Sequence, residues 1–400
     1  MKNRNSYLNQ LIKLKDKSII KIITGIRRVG KSTLLQLFYN YLLKNGVLSE
    51  QIIKINFESI EFDNIKTYKE LYNYVKERIS LNKTYLLLDE IQMVVSFEKA
   101  INSFMVDFDI DIYITGSNGY LLSSELSTLL SGRYVEIKML PLSFKEYLYF
   151  NNYSKEGDIN HYFNEYIEYG GLPAITEMKT YPETITQFLE GIFNTILIKD
   201  VALRNEIRDI SLLESVIRFI VSNIGSFIST KKIANYLTSN GRKAVSETID
   251  NYLKMLENAF IIYRVKRYDI KGKLYLKTLE KFYVVDTGLK NQITGFRNDD
   301  YGFILENIIY FELLRRGFYV SIGKVGTLEV DFIATNKNKK IYYQVSTTIQ
   351  NDETKKRELS PFENINDNYE KVILTMDKTF IKDYNGIKNI NIIDFLLEEY

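Results

Sequence analysis

Gly25, Gly30, Lys31 and Ser32 stand in the order G-x-x-x-x-G-K-[ST], followed by Thr33. Those residue types at that spacing suit one task, the cradling of a polyphosphate. The glycines let the backbone turn tightly and aim N–H groups at phosphate oxygens, and the helix that follows adds the positive end of its dipole. Lys31 brings a point charge to the β- and γ-phosphates, and the Ser32 hydroxyl is a ligand for Mg²⁺. Gly25, Arg28, Gly30, Lys31, Ser32 and Thr33 are therefore the expected ATP-phosphate contacts. The motif lies between an apolar run, Ser18–Thr24, and a stretch with helical spacing, TLLQLFYNYLLKN, which is the context it requires.

Downstream, Thr84-Tyr85-Leu86-Leu87-Leu88-Asp89-Glu90 is an apolar strand closed by two carboxylates. Asp89 is the expected partner of Ser32 in holding Mg²⁺. Glu90 is the expected general base, placed to polarise an attacking water. The next strand ends in Thr115-Gly116-Ser117-Asn118. A polar side chain there could hold that water or the γ-phosphate, yet Gly-Ser-Asn is equally turn chemistry. Arg133, ahead of the fifth apolar run, has the charge of an arginine finger, though spacing alone reads it as a surface arginine.

Two further groups lie beyond the phosphate motif. Positions 225–277 hold eleven Lys and Arg against four Asp and Glu, a balance of +7 in a chain whose net charge is +3. Three helical stretches and a β hairpin there fit a winged helix. Lys232, Arg242, Lys243, Arg267 and Lys271 would meet a DNA backbone, with a solvated basic face or a protein-binding module as the alternative. Nearer the end, Glu306 on a helix, Asp331 in EVDFIA and Gln344 in YYQVS resemble the carboxylate pattern of the PD-(D/E)xK nuclease fold. That resemblance implies Mg²⁺ at Glu306, Asp331 and Gln344, and a lysine at position 346, where Ser346 stands instead. A serine cannot supply the cationic charge. Lys355 or Lys356 would have to migrate in, and the expectation is a degenerate scaffold used for binding.

The elements that must position these residues follow from periodicity. Apolar runs at Ser18–Thr24, Ile52–Phe57, Thr84–Leu88, Asp111–Thr115 and Tyr134–Met139 alternate with helical stretches, which predicts a parallel sheet with helices on both faces. Ser143 and Glu146 form a capping-box pattern that opens the next helix. The division expected is 1–150 for the α/β nucleotide domain, 151–210 for a helical linker or lid, 211–290 for the winged helix and 291–400 for the nuclease-like α/β domain. Composition narrows the chemistry further. With no cysteine, disulfides, thiolate nucleophiles and iron–sulfur clusters are excluded. One histidine, His161, cannot build a His-rich metal site, and a partly exposed structural role is expected for it. No apolar stretch is long enough to span a membrane. The opening MKNRNSYLNQLIKLKDK has no apolar core, so secretion is not expected and a cytoplasmic location is.

GIRRVGKST, YLLLDEIQ, ITGSN, SGR and LPLSFKEYL together resemble the prokaryotic AAA-type (AAA_14-like) P-loop ATPase family with a DUF4143 C-terminal region, and YGGLPA and FYVVDTGL resemble its later signatures. The resemblance covers nearly the whole chain. It implies Mg²⁺-dependent hydrolysis of ATP to ADP and phosphate, Asn118 as sensor and Arg133 as finger. It does not name the work driven. Double-stranded DNA, a partner protein and further copies of the chain are the expected partners. The alternatives are a nucleotide switch with negligible turnover and an ATP-licensed nuclease.

Overall fold

The computed structural model describes residues 2–117, 119, 130, 132–154, 157–178, 181–276, 279–378 and 381–398. The chain divides into two compact units. One comprises 1–139 with 258–260, and the other 140–257 with 261–400.

The first unit is a five-stranded parallel sheet. Its strands are β1 (Ile20–Thr24), β2 (Ile52–Asn56), β3 (Thr84–Asp89), β4 (Ile110–Gly116) and β5 (Tyr134–Lys138), in the order β2-β3-β4-β1-β5. All five apolar runs become strands. β1, β3 and β4 are buried along their whole length, as strands covered on both faces must be. Helices Lys31–Lys44, Tyr68–Lys76 and Phe97–Asp107 connect them. The order places β4 between β1 and β3. The strand after the acidic pair therefore lies between the phosphate loop's strand and the pair's own strand, its C-terminal end beside both.

The second unit opens with the capping box as expected. The Glu146 N–H donates to Ser143 Oγ at 3.1 Å, and Glu146 Oε2 accepts from the Ser143 N–H at 3.0 Å. The two later signatures prove to be one structural joint. Asp286 is buried, and its carboxylate accepts from the Gly171 N–H at 2.7 Å and the Leu289 N–H at 3.0 Å. A Cβ on Gly170 would fall 2.2 Å from Asp286 Oδ1, one on Gly171 2.5 Å from the Leu142 carbonyl oxygen, and one on Gly288 2.1 Å from the Tyr169 carbonyl oxygen. Burial pushes the Asp286 carboxyl up to about 6, against the pull of the backbone donors.

Helices Ile210–Val221, Thr230–Ser239 and Ser246–Asn258 form where the three helical stretches were expected. The β segment after them behaves differently from a free wing. β6 (Ile262–Val265) pairs antiparallel with β9 (Lys281–Val284). β7 (Arg267–Asp269) pairs with β8 (Leu274–Tyr275) and runs parallel to β10 (Tyr319–Val325). The expected hairpin is thereby built into the edge of a large sheet. That sheet continues through β11 (Leu328–Thr335), β12 (Lys340–Ser346) and β13 (Glu370–Thr375), and ends in β14 (Asp383–Tyr384) and β15 (Ile387–Asn391), ordered β14-β15-β13-β12-β11-β10-β7-β8. The buried helix Tyr301–Arg315 lies against β10, β11 and β12. No helix among the described residues is long and apolar enough to cross a membrane.

Candidate active site

The phosphate loop leaves β1 through Gly25, at φ +143°, and enters its helix through Gly30, at φ +103°. Both values lie in the region glycine alone adopts at little cost. Gly25 is doubly constrained, because a Cβ there would sit 2.3 Å from the Met139 carbonyl oxygen. Arg28, exposed at the turn, also has a positive φ of 66°. Strained non-glycine backbone of this kind clusters where ligands are clamped. Gly30 caps the helix Lys31–Lys44 with no side-chain partner on its first N–H groups. Those donors and the dipole behind them are what a phosphate group would meet.

Lys31 is buried, and its Nζ donates to the carbonyl oxygens of Gly25 at 2.9 Å and Ile26 at 3.2 Å. It also stands 3.8 Å from Glu90 Oε1. The ammonium thus lies folded along the loop, next to the acidic pair. Ser32 and Thr33 are exposed on the first helical turn, and the Ser32 hydroxyl hydrogen-bonds Asp89.

Asp89 ends β3 and is buried. Burial pushes its carboxyl above the usual range, while hydrogen bonds from Thr115 and Ser32 pull the other way. Thr115, at the end of β4 and fully buried, is the joint of the site. Its hydroxyl donates to Asp89 Oδ1 and accepts the Glu90 N–H at 3.0 Å. Glu90 follows with φ +57°, the left-handed conformation that turns its side chain away from the strand. Its Oε2 accepts from Ser117 Oγ at 3.2 Å and from Gln92 Nε2.

Loop, lysine, hydroxyl and acidic pair are therefore brought together as the spacing implied. Asn118 lies outside the described residues. Arg133 is exposed immediately before β5, its carbonyl oxygen accepting the Ile20 N–H at 2.9 Å. Sequence reasoning missed Thr115, Ser117 and Gln92 as holders of the acidic pair. The polar end of β4 was the available signal, and it pointed to the neighbouring asparagine.

The other expected site residues lie in the second unit. Lys232, Arg242, Lys243 and Lys271 are exposed. Arg267 is not a free contact. It is half-buried on β7, with its guanidinium 4.4 Å from the centre of the Phe227 ring. His161 is exposed, 3.7 Å from Glu165.

Glu306, Asp331 and Gln344 do converge on one cavity of about 610 Å³. Phe332 pairs with Tyr343 across β11 and β12, so Asp331 and Gln344 lie side by side. Asp331 Oδ2 accepts the Val345 N–H at 2.8 Å, and Gln344 Nε2 donates to Glu358 Oε2 at 2.8 Å. Burial holds the Asp331 carboxyl well above the usual range, reinforced by Glu306. Ser346 turns its hydroxyl to the Thr348 carbonyl oxygen. The expectation of a pocket without a lysine is corrected here. Lys281, from β9, is buried in it, with Nζ 2.7 Å from Glu306 Oε1 and 2.5 Å from Glu329 Oε1.

The parallel sheet, the glycine-bounded loop and the acidic pair define a P-loop ATPase fold of the AAA type. Comparison agrees: the sequence model of an AAA domain matches residues 17–148, and that of a domain of unknown function, DUF8612, matches 160–300. The second match is to a different domain from the DUF4143 region expected from the resemblance. A Haemophilus influenzae protein described as uncharacterized is 43% identical over all of this chain and 99% of its own length. An uncharacterized protein of Methanocaldococcus jannaschii is 34% identical over 86% of this chain and 78% of its own. The chain belongs to the family these relatives represent. Among solved structures, the Walker-type ATPase PABY2304 of Pyrococcus abyssi superposes with a TM-score of 0.52 at 17% identity, over 73% of this chain and 96% of that one, a likeness of fold.

Proposed function

We propose that the protein binds ATP with Mg²⁺ and hydrolyses it to ADP and phosphate. The observation that carries this reading is the Thr115 hydroxyl, which ties Asp89 to the backbone of Glu90 beside Lys31. A buried network that fixes two carboxylates next to a phosphate loop suits orientation of a metal and a water more than it suits packing. Ser32 and Asp89, already hydrogen-bonded, offer the hydroxyl and carboxylate that Mg²⁺ takes while keeping waters and phosphate oxygens in the rest of its shell. Bound there, Mg²⁺ would neutralise charge on the β- and γ-phosphates.

The chain's own residues supply the rest. The N–H groups of residues 30–33 receive phosphate oxygens. Lys31 leaves the Gly25 and Ile26 carbonyl oxygens for the phosphates, and its departure frees one face of Glu90. Glu90 then accepts the proton of the water that attacks the γ-phosphorus. The resemblance adds Asn118 as sensor and Arg133 as a finger reaching a neighbouring copy, which makes the active species an oligomer. Mixing inactive Lys31→Ala with inactive Arg133→Ala would then restore part of the activity, because a mixed pair holds one complete site. The proposed partner is duplex DNA, met by the exposed Lys232, Arg242, Lys243 and Lys271 of a winged-helix unit, and the proposed location is cytoplasmic. Binding of a fluorescent ATP analogue tests the core of the reading. Wild-type protein should bind it, and Lys31→Ala should not. Equal binding by both would show that nucleotide does not use this loop.

A further inference from the structure

The carboxylate pattern of the second unit implies Mg²⁺ at Glu306, Asp331 and Gln344, but the donors those residues offer do not suit it. Gln344 is neutral and engaged at both ends. Its Oε1 accepts the Asp331 N–H at 3.3 Å, and its Nε2 donates to Glu358 Oε2 at 2.8 Å. Glu306 Oε1 accepts from Lys281 Nζ at 2.7 Å and from the Tyr283 hydroxyl at 2.5 Å. Asp331 Oδ2 accepts the Val345 N–H at 2.8 Å. Among the described residues no three acidic or imidazole side chains close into a metal cage. A small divalent cation needs ligand oxygens free to turn toward it, and most of those present are already committed to N–H and O–H donors.

What these residues do fit is a charge that the chain itself supplies. Lys281, Glu306 and Asp331 are each more than nine-tenths buried. The Lys281 ammonium stands 2.7 Å from Glu306 Oε1 and 2.5 Å from Glu329 Oε1. Burial disfavours its charge, but Glu306, Asp331 and Glu329 outweigh burial and hold its pKa above the usual lysine range. The lysine is fixed in place by the backbone, because β9 pairs with β6 with Lys281 opposite Val265. Glu306 comes from the buried helix Tyr301–Arg315 and Glu329 from β11. The ammonium therefore ties three elements at one point. A divalent ion on Glu306 and Asp331 would stand beside a positive charge that cannot leave, and like charges in a buried site repel strongly.

We propose that Lys281 is a built-in substitute for the metal: its ammonium takes the neutralising role of a divalent cation, which leaves the second unit metal-independent and without nuclease activity. A tethered charge is neither removed by a chelator nor exchanged for another ion, so the junction of β9, β11 and the helix Tyr301–Arg315 does not vary with metal supply.

The test uses the full nucleotide-free chain, first stripped of metal with a chelator. Wild type and Asp331→Asn should take up the same amount of Mn²⁺, read from the loss of the free-ion paramagnetic resonance signal. Neither should cut a duplex or a single-stranded oligonucleotide in the presence of Mn²⁺. Lys281→Met leaves the carboxylates without their counter-ion, and it should create the metal site that wild type lacks. It should melt below wild type in chelator and regain stability with Mn²⁺, its melting temperature rising by about 5–10 °C at a hundredfold excess over its Kd. Adding Asp331→Asn to Lys281→Met should weaken that uptake tenfold or more. Lys281→Arg, which keeps the charge, should behave as wild type. A Lys281→Met chain that gains nothing from Mn²⁺, folded or not, would overturn the proposal. Mn²⁺ uptake or oligonucleotide cleavage by wild type that Asp331→Asn abolishes would overturn it equally. None of these outcomes touches the ATPase reading, whose residues lie in the other unit.

Discussion

Replacing Thr115 with Val keeps the shape of a fully buried side chain and removes only the hydroxyl. Two hydrogen bonds go with it, the donation to Asp89 Oδ1 and the acceptance from the Glu90 N–H. A hydrogen bond to a charged group contributes about 1.5–3 kcal/mol net, and a buried donor left unpaired costs about 1–3 kcal/mol. Part of that loss is recovered by relaxation, so a fall in unfolding free energy of about 2–4 kcal/mol is expected. Catalysis should suffer more. Asp89 and Glu90 lose the group that fixes their relative position, and misplacement by an ångström costs on the order of a hundredfold. The acidic limb of the pH–rate profile should also move to higher pH, because the Thr115 hydrogen bond favours the charged form of Asp89 and opposes the effect of burial. Steady-state phosphate release across pH, with denaturant melts in parallel, measures all three effects. Thr115→Ser, which retains the hydroxyl, should recover most of the rate. A Thr115→Val enzyme with wild-type turnover and an unmoved profile would refute the role given to this residue.

Gly170→Ala should destabilise the second unit by about 3 kcal/mol or more, since its φ is +82° and the new Cβ would collide with Asp286, as a fall in melting temperature would reveal. Asp286 makes stability pH-dependent. Its folded-state value of about 6 lies above the unfolded value near 4, so its contribution is complete below about pH 4 and is lost as pH rises through about 6. The loss is about 3 kcal/mol, and Asp286→Asn should flatten that part of the stability-against-pH curve. Duplex DNA should bind weakly and with steep salt dependence, and changing Lys232, Lys243 and Lys271 together to Glu should weaken it equally for unrelated sequences in a fluorescence-anisotropy titration.

What the sequence makes legible is what is local. The loop motif, the apolar strand ending in Asp89-Glu90 and the Ser143 capping box each fit within a few residues, and each forms as read. The residues that were missed depend on contacts far apart in sequence. Thr115 meets Asp89 only because β4 lies between β1 and β3, which spacing does not encode. Lys281 enters the C-terminal cavity from β9, a strand paired with β6 and separate from the sheet that carries Asp331 and Gln344. A search for the lysine along the carboxylate strands could not reach it. The basic composition of its segment makes Arg267 read as a wing contact. The parallel pairing of β7 with β10 turns that segment into a sheet edge and sets the guanidinium on Phe227.

The central claim is that Glu90 activates water at a working phosphate site. Steady-state phosphate release from ATP by wild type and by Glu90→Gln, each shown to bind the same fluorescent ATP analogue, tests it most directly. The amide keeps the size of the side chain and can still accept hydrogen bonds from Ser117 and Gln92, but it cannot take a proton. Loss of a general base costs about 10²–10⁴-fold, so Glu90→Gln should bind nucleotide like wild type and release phosphate at least a hundredfold more slowly. Phosphate release by Glu90→Gln at the wild-type rate would contradict the account.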